Sequence, residues 1–238
     1  MDNNMKLYYE YTISPLGKLF YQTVWKQLGN IQNKKILDFG SGFGFTSNYL
    51  ANNNYVTAIE PDPSMIEVAE KKYKYKQIQG GLSELKAIKD ETFDMVICHL
   101  VLEFVLDQNQ IISELLRVLK NDGILSIVRH NRAGRIVQAI VQDYDMTEVT
   151  NLLKGEPSYS SAFGDIKYYR NEDLLKWANN KAFFTEVYGV RAIASLHDAQ
   201  IQKSEDWLDN MLWVESVLLE RDEFIKIAYF NHLFIKKV

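Results

Sequence analysis

The sequence predicts an α/β protein, a mostly parallel sheet with helices on both faces. Three observations carry that expectation. Short apolar runs of strand length alternate with segments of helical spacing. Between the first run (Ile36, Leu37, Phe39) and the first such segment (Phe45, Tyr49, Leu50) stand three glycines at alternate positions, Gly40, Gly42 and Gly44. Twenty residues beyond Gly40, Glu60 closes the next run, Val56-Thr57-Ala58-Ile59. Strand, glycine turn, helix and an acid at that distance make the opening of a nucleotide-binding α/β unit.

Residues 1–13 are polar and tyrosine-rich, with Tyr8, Tyr9 and Tyr11. Ser14-Pro15 reads as N-cap and first helical residue. Leu16, Leu19, Phe20, Val24 and Leu28 keep one apolar face until Gly29-Asn30 closes that helix. This lead-in is suited equally to covering a ligand cleft and to plain packing. Past the second strand, Pro61-Asp62-Pro63-Ser64 stops the extended run and starts a helix at Met65. The tract Lys71-Lys72-Tyr73-Lys74-Tyr75-Lys76 mixes cations with aromatics. A solvated surface on the face away from the ligand is favoured for it over nucleic-acid contact. A weak third strand over 77–80 and a buried fourth over 93–98 follow, then a helix from about 109–120. Asn121-Asp122-Gly123 turns into a fifth strand over 124–128. Beyond it come a helical segment with Ile136, Val137, Ile140 and Val141, and an irregular stretch over 155–167. A helix from Asn171 through Trp177, strand-like residues 182–195, an amphipathic helix over 203–220 and a closing strand over 225–235 complete the chain. No repeat or linker interrupts this alternation. A single domain over 1–238 is expected, with a helical lead-in (1–30), a ligand-binding core (31–130) and a substrate side of helices and closing strands (131–238).

Composition narrows the class. The chain has 238 residues, 47% of them hydrophobic, enough for a substantial core. No apolar run reaches the ~18 residues of a membrane span. Met1-Asp2-Asn3-Asn4-Met5-Lys6 lacks the basic and apolar regions of a secretory leader. Cys98 is the only cysteine, which excludes an intramolecular disulfide and argues against a metal cluster. A cytoplasmic protein without metal is expected. A net charge of −4 and a pI near 5.7 give no general attraction to nucleic acid, while leaving room for a local basic patch.

The glycine turn selects among ligands. A dinucleotide site reads G-x-G-x-x-G and would place its third glycine at 45, where this chain has Phe45. Asp38 stands two residues before Gly40, and a carboxylate there repels a pyrophosphate docked on the helix that follows. It suits an ammonium group. S-adenosylmethionine, with its sulfonium, amino-acid tail, ribose and adenine, fits that requirement, and Glu60 is spaced to accept from both ribose hydroxyls. The pattern D-x-G-x-G-x-G resembles the first motif of class I methyltransferases. The resemblance implies a Rossmann-like, seven-stranded sheet with helical elaborations near the C-terminus. It implies a cofactor site of Asp38, Gly40, Ser41, Gly42, Gly44 and Glu60, with Ser83 and Glu84 at the adenine, although Ser83 is also a good N-cap. His99, at the end of the fourth strand, is placed to pack on or hydrogen-bond the cofactor. An ordinary structural histidine is the competing reading.

Further segments extend the resemblance. His99-Leu100-Val101-Leu102-Glu103-Phe104-Val105, His130-Asn131-Arg132-Ala133-Gly134, Asp143-Tyr144-Asp145 and Gly189-Val190-Arg191 follow in order, then the helix around Trp207 and the final strand. Together they resemble the tRNA 5-carboxymethoxyuridine methyltransferases nearly end to end. Those enzymes methylate the carboxylate of a modified wobble uridine, so the resemblance implies tRNA as a partner. It also suggests Arg191 as the carboxylate-holding fork, with His130 and Asn131 placing the acceptor. Arg191 is nearly as well suited to a surface ion pair. The chain departs from the family at several points. Residues 151–165 contain only Lys154 where the family carries a basic tract. Phe20 stands at a family arginine, Glu60 at an aspartate, Ser83-Glu84 at a Gln-Asp pair and His130 at a tyrosine. A small-molecule methyltransferase with an acidic or hydroxyl acceptor, favoured by the acidic pI, and a cofactor-binding protein without catalysis are the alternatives.

Overall fold

The computed structural model describes residues 1–69 and 71–238. The tyrosine-rich opening, which carries no apolar period, is a helix, α1 (Asn3–Ile13), capped by Asp2, whose side chain accepts the Met5 N–H at 2.8 Å. Ser14 starts α2 (Pro15–Leu28): its hydroxyl accepts the Gly17 N–H at 3.2 Å and its carbonyl the Lys18 N–H at 2.8 Å. Strands and helices then alternate as β1 (Lys35–Phe39), α3 (Phe45–Ala51), β2 (Tyr55–Glu60), α4 (Pro63–Val68), β3 (Lys76–Gln79) and α5 (Leu82–Lys86). Next come β4 (Phe93–His99), α6 (Gln108–Val118), β5 (Leu119–His130) and α7 (Arg132–Gln138), which runs into a π-helical turn over Ala139–Asp143. The remainder is α8 (Met146–Lys154), β6 (Ser158–Ser160), β7 (Gly164–Ile166), α9 (Asn171–Trp177), β8 (Ala182–Val190), α10 (Trp207–Leu218), α11 (Asp222–Ile227) and β9 (Phe230–Lys237).

Seven strands form the expected sheet in the order β3-β2-β1-β4-β5-β9-β8, and β6 pairs antiparallel with β7. The first five pair in parallel, in a register that sets Leu37 beside Thr57 and Val96, and Val96 beside Leu125. Both faces of β4 are covered, so Met95, Val96, Ile97 and Cys98 are all buried and the strand reads as a continuous apolar run. The order steps outward from β1 in one direction and from β4 in the other. Right-handed crossovers therefore put α3 and α4 on one face and α5 and α6 on the opposite one. The ligand edge of such a sheet lies at the carboxyl ends of the strands around this switch point.

The chain divides into two compact units. One comprises Met1–Leu28, Arg129–Tyr168 and Val187–His232. Its core joins Leu16 and Leu19 of α2 to Trp207, Leu208, Met211 and Leu212 of α10, with a smaller cluster of Ala192, Leu219 and Ala228. The other comprises Gly29–Val128, Tyr169–Glu186 and Leu233–Val238, and contains β1 to β4, most of β5, and α9 packed on α6.

Three local expectations change. The stretch 155–167 contains the β6–β7 hairpin, turned by Gly164 at φ +80°. The run 182–195 ends as a strand at Val190, because Arg191 takes a left-handed backbone. The closing strand begins only at Phe230: Asp222 and Glu223 sit in the first turn of a helix, where acids are favoured. An apolar run alone does not separate helix from strand there.

Candidate functional site

β1 delivers Asp38 to its carboxyl end, and the chain then reverses through the glycine turn. The Gly40 and Ser41 amides donate to the Ile59 carbonyl at 2.8 and 3.1 Å, and the Gly44 amide to the Ser41 carbonyl at 2.9 Å. Gly40, Gly42 and Gly44 take φ of +75°, +54° and +73°, the left-handed region that glycine enters without steric penalty. A Cβ at Gly40 would strike Val101, and one at Gly44 would stand 2.5 Å from the Tyr75 hydroxyl. At Gly42 the nearest atom to such a Cβ is the Met65 sulfur at 4.0 Å, so the middle of the turn is an open cradle.

Two carboxylates face this cradle from neighbouring strand ends. Asp38 is buried and accepts the Ser47 hydroxyl at 2.6 Å. Burial pushes its carboxyl up to about 6, against the Ser47 hydrogen bond and with help from the Glu60 charge. Glu60 is also buried; one oxygen accepts the Gly42 amide at 2.7 Å and the other the Asp62 amide at 2.9 Å. Burial raises its pKa, opposed by those two bonds. The Ser41 hydroxyl is buried without a hydrogen-bond partner among the described residues. Two buried carboxylates, an orphaned hydroxyl and an open glycine cradle suit a ligand bringing one cation and several hydroxyl donors, and disfavour a phosphate. S-adenosylmethionine meets that description.

Three more predicted positions, Ser83, Glu84 and His99, lie at the same strand edge. Ser83 is the second residue of α5, not its cap, which is Gly81. The Glu84 side chain folds back to accept the Gly81 amide at 2.6 Å and the Ser83 hydroxyl at 2.8 Å. His99 ends β4 with Nε2 2.8 Å from the Ser126 hydroxyl, and burial lowers its pKa to about 3, so the ring is neutral at physiological pH. Leu100, next in the chain, has a left-handed φ of +56°. Sequence reasoning missed Tyr75. The lysines of its tract are exposed as expected, but Tyr75 turns inward onto Gly44, so the tract does not face wholly away from the cradle.

Arg191, His130 and Asn131 belong to the other unit, where they gather around Tyr229 and Phe230. Arg191 follows β8 at φ +62° and is buried, 2% exposed, which excludes a surface ion pair. Its guanidinium lies over the rings of Tyr229, Phe230 and Tyr11 at 5.1, 5.2 and 5.8 Å. Nε donates to the Ser195 hydroxyl at 3.0 Å and Nη1 to the Tyr11 hydroxyl. Nη2 has no hydrogen-bond partner, and the group has no carboxylate partner, among the described residues. The His130 ring packs edge-on against Phe230 at 4.9 Å and Tyr229 at 6.1 Å. Asn131 caps α7: its oxygen accepts the Ala133 amide at 3.3 Å, and its nitrogen donates to the Lys226 and Ala228 carbonyls at 2.9 and 2.8 Å.

Glu215, which no sequence pattern singled out, fixes the loop after Arg191. Fully buried on α10, it accepts the Ala192, Ile193 and Ala194 amides at 2.9, 2.9 and 2.8 Å. A Glu215→Ala change strands three amide donors, two buried and one partly so, and is expected to destabilise the protein by about 3 kcal/mol. That corresponds to a Tm roughly 6–12 °C lower by calorimetry. An unchanged Tm would show that the carboxylate does not hold the loop.

Among the described residues no group of three or more His, Cys, Asp or Glu could hold a metal ion, and no helix is long and apolar enough to cross a membrane. Residues 37–127, which span β1 through most of β5, match the methyltransferase domain family. Fold and relatives are those of class I S-adenosylmethionine-dependent methyltransferases, and S-adenosylmethionine is the cofactor they imply. An uncharacterized protein of Methanocaldococcus jannaschii is 33% identical over 130 residues, 53% of this chain and 56% of that protein. The Escherichia coli tRNA 5-carboxymethoxyuridine methyltransferase is 20% identical over 239 residues, covering 93% of this chain and 89% of that enzyme. A ubiquinone biosynthesis O-methyltransferase of Histophilus somni is 29% identical over 177 residues, 70% and 71% of the two chains. Among solved structures, a methyltransferase dependent on S-adenosylmethionine from Aquifex aeolicus covers the whole of both chains with a TM-score of 0.59 at 15% identity.

Proposed function

We propose that this enzyme methylates a carboxylate, that of 5-carboxymethoxyuridine at the wobble position of tRNA. The observation that carries the reading is Arg191, a buried guanidinium with two hydrogen bonds to hydroxyls and no carboxylate partner among the described residues. A buried charge left without a counter-ion is costly, and an anionic substrate would supply one. The near full-length similarity to the E. coli enzyme supports the same acceptor.

Bound S-adenosylmethionine supplies an activated methyl group on a sulfonium, whose departure as a neutral thioether needs no acid. In this proposal Asp38 holds the ammonium of the cofactor and Glu60 its ribose hydroxyls. Gly40, Ser41, Gly42 and Gly44 form the cradle around its tail, Ser83 and Glu84 meet the adenine edge, and neutral His99 walls the site. Arg191 grips the acceptor carboxylate bidentately. Tyr11 and Ser195 fix its fork, and His130 and Asn131 set the aromatic platform and the loop behind it. A carboxylate acceptor is already ionised, so the chain's contribution is alignment and exclusion of water rather than base catalysis.

The test is incubation of the purified protein with S-adenosylmethionine and tRNA carrying 5-carboxymethoxyuridine, followed by mass spectrometry of the digested nucleosides. The methyl ester is expected. Calorimetric binding of the cofactor without ester formation would sink the acceptor and leave the class intact. The O-methyltransferase similarity supports a second reading, a small-molecule acceptor, and transfer to a phenolic acid instead of tRNA would establish it.

A further inference from the structure

We propose that the groove at the amino edge of the sheet binds a single-stranded stretch of nucleic acid. The groove encloses about 890 Å³ between the starts of β1, β2, β3 and β4, at the opposite end of these strands from Asp38, Glu60 and His99. That volume falls within the range of small-ligand sites and admits a short segment rather than a folded partner. Four lysines line it, Lys35, Lys74, Lys76 and Lys89, and among the described residues no aspartate or glutamate does. In a chain of net charge −4 this is a sharp local segregation of charge. All four lysines are exposed, and none forms an ion pair among the described residues. Asp94, close by in sequence to the lining residue Phe93, is already engaged by Lys120 at 2.7 Å and by the Lys35 amide at 2.8 Å.

Aromatic faces complete the site. Tyr55, on the groove wall, is 72% exposed and presents a free face, while Tyr75 lines the wall with its hydroxyl turned inward onto Gly44. Outside the lining, the Lys72 ammonium lies 5.3 Å from the centre of the Tyr73 ring. Lysines that neutralise phosphates beside rings on which bases stack are the means by which proteins hold single strands without reading sequence. A duplex would leave the rings without stacking partners, and an acidic peptide would use the lysines alone. The tract 71–76 by itself reads as a solvated face. The fold changes that by adding Lys35, Tyr55 and Lys89 from three other parts of the chain.

The site is tested by binding alone, so its outcome does not depend on which acceptor is methylated. The probe is a fluorescein-labelled, mixed-sequence RNA of about ten nucleotides, titrated with the whole protein by fluorescence anisotropy at about 50 and 200 mM salt. Contact with four phosphates is expected to give a slope of log affinity against log salt of about −3. The double variant Lys76→Glu, Lys89→Glu is expected to weaken binding at least tenfold and to flatten the slope by about 1.4. Tyr55→Ala should weaken binding about fivefold or more with the slope unchanged. Calorimetric binding of S-adenosylmethionine confirms that each variant is folded. Absence of binding at low salt, or binding untouched by the lysine reversals, overturns the proposal. Competition by polyglutamate as effective as by unlabelled RNA, with Tyr55→Ala silent, also overturns it and assigns the groove to an acidic protein.

Discussion

Arg191→Met is expected to lower kcat/KM for the carboxylate acceptor about a hundredfold, the worth of roughly 3 kcal/mol for a charge-assisted fork in a buried site. Affinity for S-adenosylmethionine should stay within about twofold, because the residues proposed to hold the cofactor are different ones. Arg191→Lys keeps the charge but loses the planar pair of donors, and it should recover only part of the loss. The diagnostic comparison is between acceptors. A variant that loses turnover of the carboxylate substrate and retains turnover of a neutral acceptor places the guanidinium on the substrate. Equal loss for both would reduce Arg191 to a packing residue on Tyr229 and Phe230.

Cofactor affinity is expected to fall about tenfold for each pH unit below about 6. The Asp38 carboxyl, raised to about 6 by burial, must shed its proton to receive an ammonium group. Stability of the unliganded protein runs the other way. The folded-state pKa lies above the ordinary 3.8, so the stability linked to Asp38 is complete below that ordinary value and is lost as pH rises through about 6. The loss amounts to about 3 kcal/mol. Glu60, raised for the same reason, acts in the same direction. Calorimetry at pH 5, 6 and 7, with and without S-adenosylmethionine, reads both trends. Asp38→Asn should abolish the pH dependence of binding together with most of the affinity. A pH-independent affinity in the native chain would remove Asp38 from the ammonium.

What was legible in the sequence was local. Asp38, the glycines and Glu60 fall within 23 residues, and their spacing follows from one strand, one turn and one helix. The mostly parallel sheet was legible too, from strand-length apolar runs alternating with segments of helical spacing. What was hidden depends on contacts between distant segments. Tyr11 meets Arg191 across 180 positions, and Glu215 finds three amides 21 to 23 positions away. Tyr75 sits in a tract whose charges all say surface, yet its ring turns inward onto Gly44. The failure at 225–235 has a simpler origin. Phe224, Ile225 and Ile227 suit helix and strand equally, and the two acids before them decide.

Arg191 and Leu100 both hold a left-handed backbone, a conformation that costs a residue with a Cβ on the order of 1 kcal/mol or more. Glycine would occupy either position without that strain, and it stands only two residues before Arg191. Selection for stability alone would have drifted toward it. A chain that retains strain beside two of its proposed site positions, the guanidinium itself and the residue after His99, is keeping side chains whose worth lies outside the folding equilibrium. Those two positions are therefore poor places to seek thermostabilising substitutions, however favourable the backbone change looks.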